Sequence, residues 1–108
     1  MKFQIREATI LEASLRLLRI HPRVGWAHRA NVGAVRMSGA RYVRFGFVGC
    51  SDIIGQMRDG RFLAIECKAP RGRVTDDQKA FLERVQRHGG VSGVVRSVQD
   101  VDDLLRAA

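Results

Sequence analysis

One arrangement of charged residues in this chain is suited to holding a cation beside a base: Ser51-Asp52, thirteen intervening residues, then Glu66-Cys67-Lys68. Side chains alternate along a strand, so Glu66 and Lys68 share a face with Cys67 behind them. That face also receives Phe62 and Ala64, so an acid and a base emerge where an apolar strand runs out. Taken alone, Glu-x-Lys at a strand end reads as a structural ion pair contributing little. Chemistry requires a second carboxylate, and Asp52 supplies it only in one register.

Asp52 to Met57 and Arg61 to Lys68 flank Arg58-Asp59-Gly60 and read as a β-hairpin. A two-residue Asp59-Gly60 turn would pair 58 with 61 and set Asp52 opposite Cys67, on the wrong side. A three-residue loop pairs 57 with 61 and Asp52 with Glu66. That loop wants a left-handed glycine at its last position, and Gly60 is there. Directly opposed residues lie roughly 5 Å apart at Cβ, close enough for both carboxylates to ligate one ion. Two carboxylates so close repel unless a cation intervenes, and oxygen-only ligands suit Mg²⁺ or Mn²⁺. Lys68 would then orient an attacking water or stabilise charge on a phosphate.

Behind this hairpin the chain must supply a scaffold. Residues 4–20 read as a helix with Ala8, Leu11, Leu15 and Leu18 on one stripe and Glu12, Arg16 and Arg19 on the wet face. His21-Pro22 stops it. Glu7 projects along the apolar stripe, beside Leu11 and Leu18. Extended segments follow at Trp26 to Asn31 and Tyr42 to Val48, with Trp26 and Tyr42 read as core, stacking of either on a base being the alternative, and His21, His28 and His88 read as surface residues. Thr75-Asp76-Asp77-Gln78 is a capping box opening a helix to about His88, ended by Gly89-Gly90. Val91 to Arg96 is a further strand, and Ser97 caps a last helix carrying Val98, Val101, Leu104 and Leu105. The order is α-β-β-β-β-α-β-α, a mixed α/β domain with an antiparallel hairpin at its centre.

A chain of 108 residues suffices for one domain, taken here as 1–108, with a core that needs no disulfides. Its 19 Lys+Arg against 11 Asp+Glu give a net charge of +8, which favours a polyanionic partner. The excess is lopsided: residues 1–50 hold nine bases and two acids, net +7, and residues 51–108 hold ten and nine, net +1. Two cysteines without CxxC spacing fit a reducing compartment and argue against zinc. No apolar run approaches the roughly 20 residues of a membrane span, and no signal peptide opens the chain, so a cytoplasmic location is expected.

With these residues in place, the sequence resembles the VRR-NUC branch of the PD-(D/E)XK nuclease superfamily over essentially its whole length. The carrying residues are Glu7, Gly49-Cys50-Ser51-Asp52-Ile53-Ile54-Gly55, Asp59-Gly60-Arg61-Phe62, Ile65-Glu66-Cys67-Lys68 and Gln78, with Trp26, Arg29, Asn31 and Gly33 resembling a short aromatic-Arg-Asn-Gly segment. The resemblance implies a restriction-endonuclease-like core, a mixed central sheet flanked by helices. It also implies metal ligation by Asp52 and Glu66, catalytic assistance from Lys68, completion of the acidic cluster by Glu7, and Gln78 beside it. Ser51 stands where the superfamily name has proline, and Ala30 separates Arg29 from Asn31.

The implied activity is Mg²⁺- or Mn²⁺-dependent hydrolysis of DNA phosphodiesters. Small stand-alone members of this branch act on branched DNA such as four-way junctions, often as homodimers, and many come from phages. Arg29, Asn31, Arg36, Arg41 and Arg44 are the candidate DNA-contacting residues, the last three as phosphate contacts. Two plainer readings stay open: Glu7 as a first-turn acid favoured by the helix dipole, and Gln78 as only the N3 partner of its capping box. A non-catalytic nucleic-acid-binding module is the rival, although binding alone gives no reason to gather Glu7, Asp52 and Glu66 near phosphate. A monomeric flap or nicking nuclease is the alternative if the chain does not pair.

Overall fold

The computed structural model describes residues 5–30, 33–36, 42–45 and 47–108, the two short middle segments by their backbone. The elements are α1 (Glu7–Ile20), β1 (Val24–Arg29), β2 (Gly33–Arg36), β3 (Tyr42–Phe45), β4 (Ile53–Met57), β5 (Phe62–Cys67), α2 (Asp76–Arg87), β6 (Val91–Val95) and α3 (Val98–Ala107). Four strands form one sheet in the order β1-β4-β5-β6, and β2 and β3 pair as a separate hairpin. β1 and β4 pair antiparallel, as do β4 and β5, whereas β5 and β6 are parallel and joined through α2. This is a mixed sheet flanked by helices, the α/β fold expected, and it is consistent with a restriction-endonuclease-like core.

Packing follows the two-residue alternation of the strands. Ile53, Met57, Leu63, Ile65 and Cys67 face α1 and α3, where they meet Leu11, Leu15, Leu18, Val101 and Leu105. Ala64, on the opposite face, meets Phe81, Leu82 and Val85 of α2. Covered on both faces and paired on both edges, β5 is buried from Leu63 through Cys67. That explains why Phe62–Cys67 reads as an almost unbroken apolar run that nevertheless contains Glu66.

The capping signals hold. Thr75 Oγ1 accepts from Gln78 N–H, and Gln78 Oε1 accepts from Thr75 N–H at 2.9 Å, closing the capping box of α2. Ser97 Oγ accepts from Asp100 N–H at the start of α3. The Arg23 guanidinium satisfies the far end of α3, donating to Leu105 O at 2.6 Å.

Four expectations need correction. α1 begins at Glu7 rather than at residue 4, and Ala8, although on the apolar side by angle, is exposed, while Ser14 is buried among the leucines. Trp26 is not core: a bulge between Val24 and Trp26 shifts the β1 register, so Val24 and Ala27 turn inward and Trp26 stays 41% exposed. A strand, β2, stands where none was expected, and its partner β3 ends at Phe45 rather than at Val48. Val98, expected on the inner side of α3, is exposed at its first turn. Tyr42 lies in β3 and Asn31 and Arg41 lie outside the described residues.

Candidate active site

Register creates the site. Ile53 pairs with Ile65 and Gln56 with Phe62, and Met57 N–H donates to Arg61 O at 2.8 Å. The three-residue loop closes with Gly60 N–H on Met57 O and with Gly60 at φ 98°, the left-handed conformation the sequence called for. Continuing that ladder one step past Ile53 sets Asp52 across from Glu66.

Asp52 is tied on both sides. Its Oδ2 accepts from Cys67 N–H at 2.9 Å, across the hairpin. Its backbone carbonyl accepts from Ala30 N–H at 2.8 Å, which fastens it to the end of β1. Glu66 is 1% exposed. Its Oε1 receives Gln78 Nε2 at 3.1 Å and lies 3.8 Å from Lys68 Nζ. Its Oε2 is buried and has no hydrogen-bond partner among the described residues. Lys68 is itself fixed through the backbone, where its N–H donates to Val95 O at 3.0 Å.

Glu7 completes the group from the first turn of α1. One carboxylate oxygen from each of Glu7, Asp52 and Glu66 lies within 4.8 Å of the others. Glu7 is exposed rather than packed beside Leu11, because burial along α1 begins only at Ile10. A helix N-terminus favours an acid there, but the dipole alone does not require two more acids beside it.

The electrostatics of this cluster follow from burial and like charge. Desolvation first, and the Asp52 carboxylate second, push the Glu66 carboxyl up to about 8, against the opposing pull of Lys68. Burial pushes the Cys67 thiol up to about 12, with Asp52 adding to it, and raises Cys50 in the same way. Both thiols are therefore neutral at physiological pH and unsuited to nucleophilic work. Asp52 and Glu66 can hydrogen-bond each other only if one of them holds a proton. A cation in place of that proton would satisfy the partnerless Oε2 and offset the repulsion. The donor set is all oxygen, so the residues fit a hard divalent ion such as Mg²⁺ or Mn²⁺.

Gln78 closes the capping box, and the same amide group also reaches Glu66. The segment before Asp52 is seated against the same helix. Gly49, at φ 86°, lies so near the Asp77 backbone that a β-carbon would stand 2.5 Å from Asp77 O. Phe47 packs edge-on to Phe81, with ring centroids 5.0 Å apart.

Arg96 was not singled out by the sequence. Its Nη1 donates to Ala69 O and Gly72 O, each at 2.8 Å, and it holds the turn that follows Lys68. An arginine whose partners are backbone carbonyls some 24 to 27 residues away leaves no local signal. Of the candidate DNA contacts, Arg29 is exposed at the end of β1, and Arg36 and Arg44 lie in β2 and β3, pairing with Tyr42 and Ala34.

Among the described residues no helix is long and apolar enough to cross a membrane. No curated protein and no solved structure matches the chain. The profile of the VRR-NUC domain does match, over residues 5–99, which takes in α1, the hairpin, α2 and β6. The span runs from just before Glu7 to beyond Arg96 and includes every residue of the carboxylate cluster: the chain belongs to the VRR-NUC family and is a nuclease domain.

Proposed function

We propose that the chain is a metal-dependent, structure-selective DNA endonuclease that hydrolyses phosphodiester bonds, acting on branched DNA such as four-way junctions. The carrying observation is Glu66, a buried carboxylate with one unpartnered oxygen, next to two further carboxylates and a lysine. Asp52 and Glu66 would hold Mg²⁺ or Mn²⁺, with Glu7 contributing directly or through water. Such an ion supplies Lewis acidity to the phosphate and a more acidic bound water.

The protein's own groups account for the rest. Lys68, held within 3.8 Å of Glu66 and anchored to β6, would position or deprotonate the nucleophile. Gln78 keeps Glu66 oriented and lets one of its oxygens point away from protein donors. Arg29, Asn31, Arg36, Arg41 and Arg44 would take the DNA backbone and fix its register over the carboxylates. Cutting two strands of a junction symmetrically needs two such clusters, which a twofold homodimer provides. We take residues 1–108 as one domain of this kind, working in the cytoplasm.

A cleavage panel of duplex, nicked, flap and four-way substrates, with Mg²⁺, Mn²⁺ or EDTA, tests this reading. Cleavage that needs the divalent ion and prefers the four-way substrate is expected. Metal-independent binding with no cleavage of any substrate would move the chain to a non-catalytic binding module. A single nick or flap cut by a species that light scattering shows to be monomeric would replace the paired junction cutter.

A further inference from the structure

Among the described residues, α2 covers only half of the sheet face that carries the carboxylates. α2 lies over its β5–β6 half through Phe81, Leu82 and Val85. The β1–β4 half carries His28 opposite Ile54, and Trp26 opposite Gln56, which in turn pairs with Phe62 of β5. Trp26 is 41% and Phe62 42% exposed, and His28 and Gln56 are exposed beside them. Three rings and one amide thus form an open surface on a strand scaffold.

These rings are held in place. Trp26 Nε1 donates to Gln56 Oε1 at 3.0 Å, and Gln56 Nε2 donates to Gly60 O at 3.0 Å. The His28 ring lies 5.6 Å from the Trp26 ring at an interplanar angle of 38°. An indole whose N–H is already satisfied offers its π-face at little entropic cost. The strip is also continuous with the site, because positions 52, 54 and 56 of one strand and 62, 64 and 66 of the next share this face. At roughly 3.3 Å per residue, Gln56 is about 13 Å from Asp52, a span of a few nucleotides.

Charge selects the occupant. Residues 24–30 and 53–58 contain no acid, and Asp59 at the adjoining turn is paired with Arg61 at 2.8 Å. With a net charge of +8 and no acid along the strip, the face attracts a polyanion. Bases in a duplex are already stacked on one another. Unpaired bases have free faces, and aromatic side chains are the sequence-tolerant platform for them.

We propose that Trp26, together with Phe62 and His28, is a stacking platform for unpaired bases of the DNA substrate. The platform would grip a single-stranded segment beside the carboxylate cluster. This rests on the reading of the chain as a DNA nuclease and adds the feature that distinguishes open from fully paired DNA.

Trp26 is the sole tryptophan, so its emission reports directly on the platform. The full chain, in EDTA to prevent cleavage, is titrated with end-labelled oligothymidylate, with a same-length abasic oligonucleotide and with duplex. Anisotropy of the label reads binding, and tryptophan emission reads stacking. Quenching that saturates together with the anisotropy is expected for oligothymidylate, and binding without quenching for the abasic strand. Trp26→Ala and Phe62→Ala should each weaken oligothymidylate binding about ten-fold, a typical loss for one stacking ring, with duplex affinity unchanged and Trp26→Phe largely intact. Circular dichroism checks that the variants fold, and His28→Ala gives a second route to the same readout.

Binding without quenching, or an unchanged oligothymidylate affinity in Trp26→Ala, overturns the platform while leaving the nuclease reading standing. Emission that changes with protein concentration alone identifies a self-contact and overturns it too. Absence of binding to any of the three, even at low salt, removes the DNA reading and the platform with it.

Discussion

Replacing Glu66 by glutamine should make the metal-free protein more stable at alkaline pH while destroying its activity. In the folded chain this carboxyl is moved from an ordinary value of 4.5 to about 8, by burial first and by Asp52 second. Between those two pH values the folded chain keeps a proton that the unfolded chain has lost. Stability is therefore fully present below pH 4.5 and is lost as pH rises through 8, at about 1.4 kcal/mol per pH unit and on the order of 5 kcal/mol in all. Glutamine is neutral throughout. Its carbonyl can still accept from Gln78 Nε2, and its amide can donate towards Asp52 where the proton would have been.

The measurement is urea unfolding of both proteins in EDTA, followed by circular dichroism from pH 5 to pH 9. Every other titrating group is shared, so the difference between the two proteins at each pH isolates position 66. The expected difference grows with pH and favours Glu66→Gln at pH 8.5 by a few kcal/mol, while cleavage is lost because a neutral amide cannot hold the cation. Two stability curves that run parallel over this range would refute the reasoning about burial and charge at Glu66.

Asp52→Asn should abolish cleavage with DNA binding retained, because the amide oxygen can still accept from Cys67 N–H; cleavage by the purified variant would exclude Asp52 as a metal ligand. Gln78→Ala removes a cap partner and a Glu66 contact together, so it should cost about 1 kcal/mol of stability and also lower kcat. Thr75→Ala loses the cap at similar cost but keeps Glu66 in contact with Gln78, and steady-state kinetics should find its kcat near the parent's. Replacing Arg36, Arg41 and Arg44 together by alanine should flatten the salt dependence of DNA binding by up to about 0.9 per lost phosphate contact, with Mg²⁺ affinity unchanged in calorimetry.

Where local chemistry fixed the backbone, the sequence was legible. Gly60 suits the last, left-handed position of the three-residue loop, and in that register Asp52 comes to face Glu66. Thr75 with Gln78 and Ser97 with Asp100 announced two helix starts from hydrogen bonds spanning three residues. Legibility ended where distant packing decided. Angle alone put Ala8 on the inner side of α1, but burial along the helix begins only at Ile10. Trp26 read as core by its size, until a bulge set by pairing with β4 turned Ala27 inward in its place. β2, four residues beginning with a glycine, is too short to show a period.

The deepest conflict in the chain lies within β5. Helices on both faces and strands on both edges require apolar residues along it, and Leu63, Ala64 and Ile65 comply. Glu66 continues the same buried run and so meets the full cost of desolvating a carboxylate. Gln78 and Lys68 relieve part of that cost at one oxygen, and the other remains without a partner. A strand selected for stability alone would place an apolar residue here, as it does one turn of the pleat earlier at Ala64. Keeping an acid at this position makes physical sense only if something positive arrives to meet it. Asp52 opposite and Glu7 above add the negative charge that would draw a cation rather than a proton to that place.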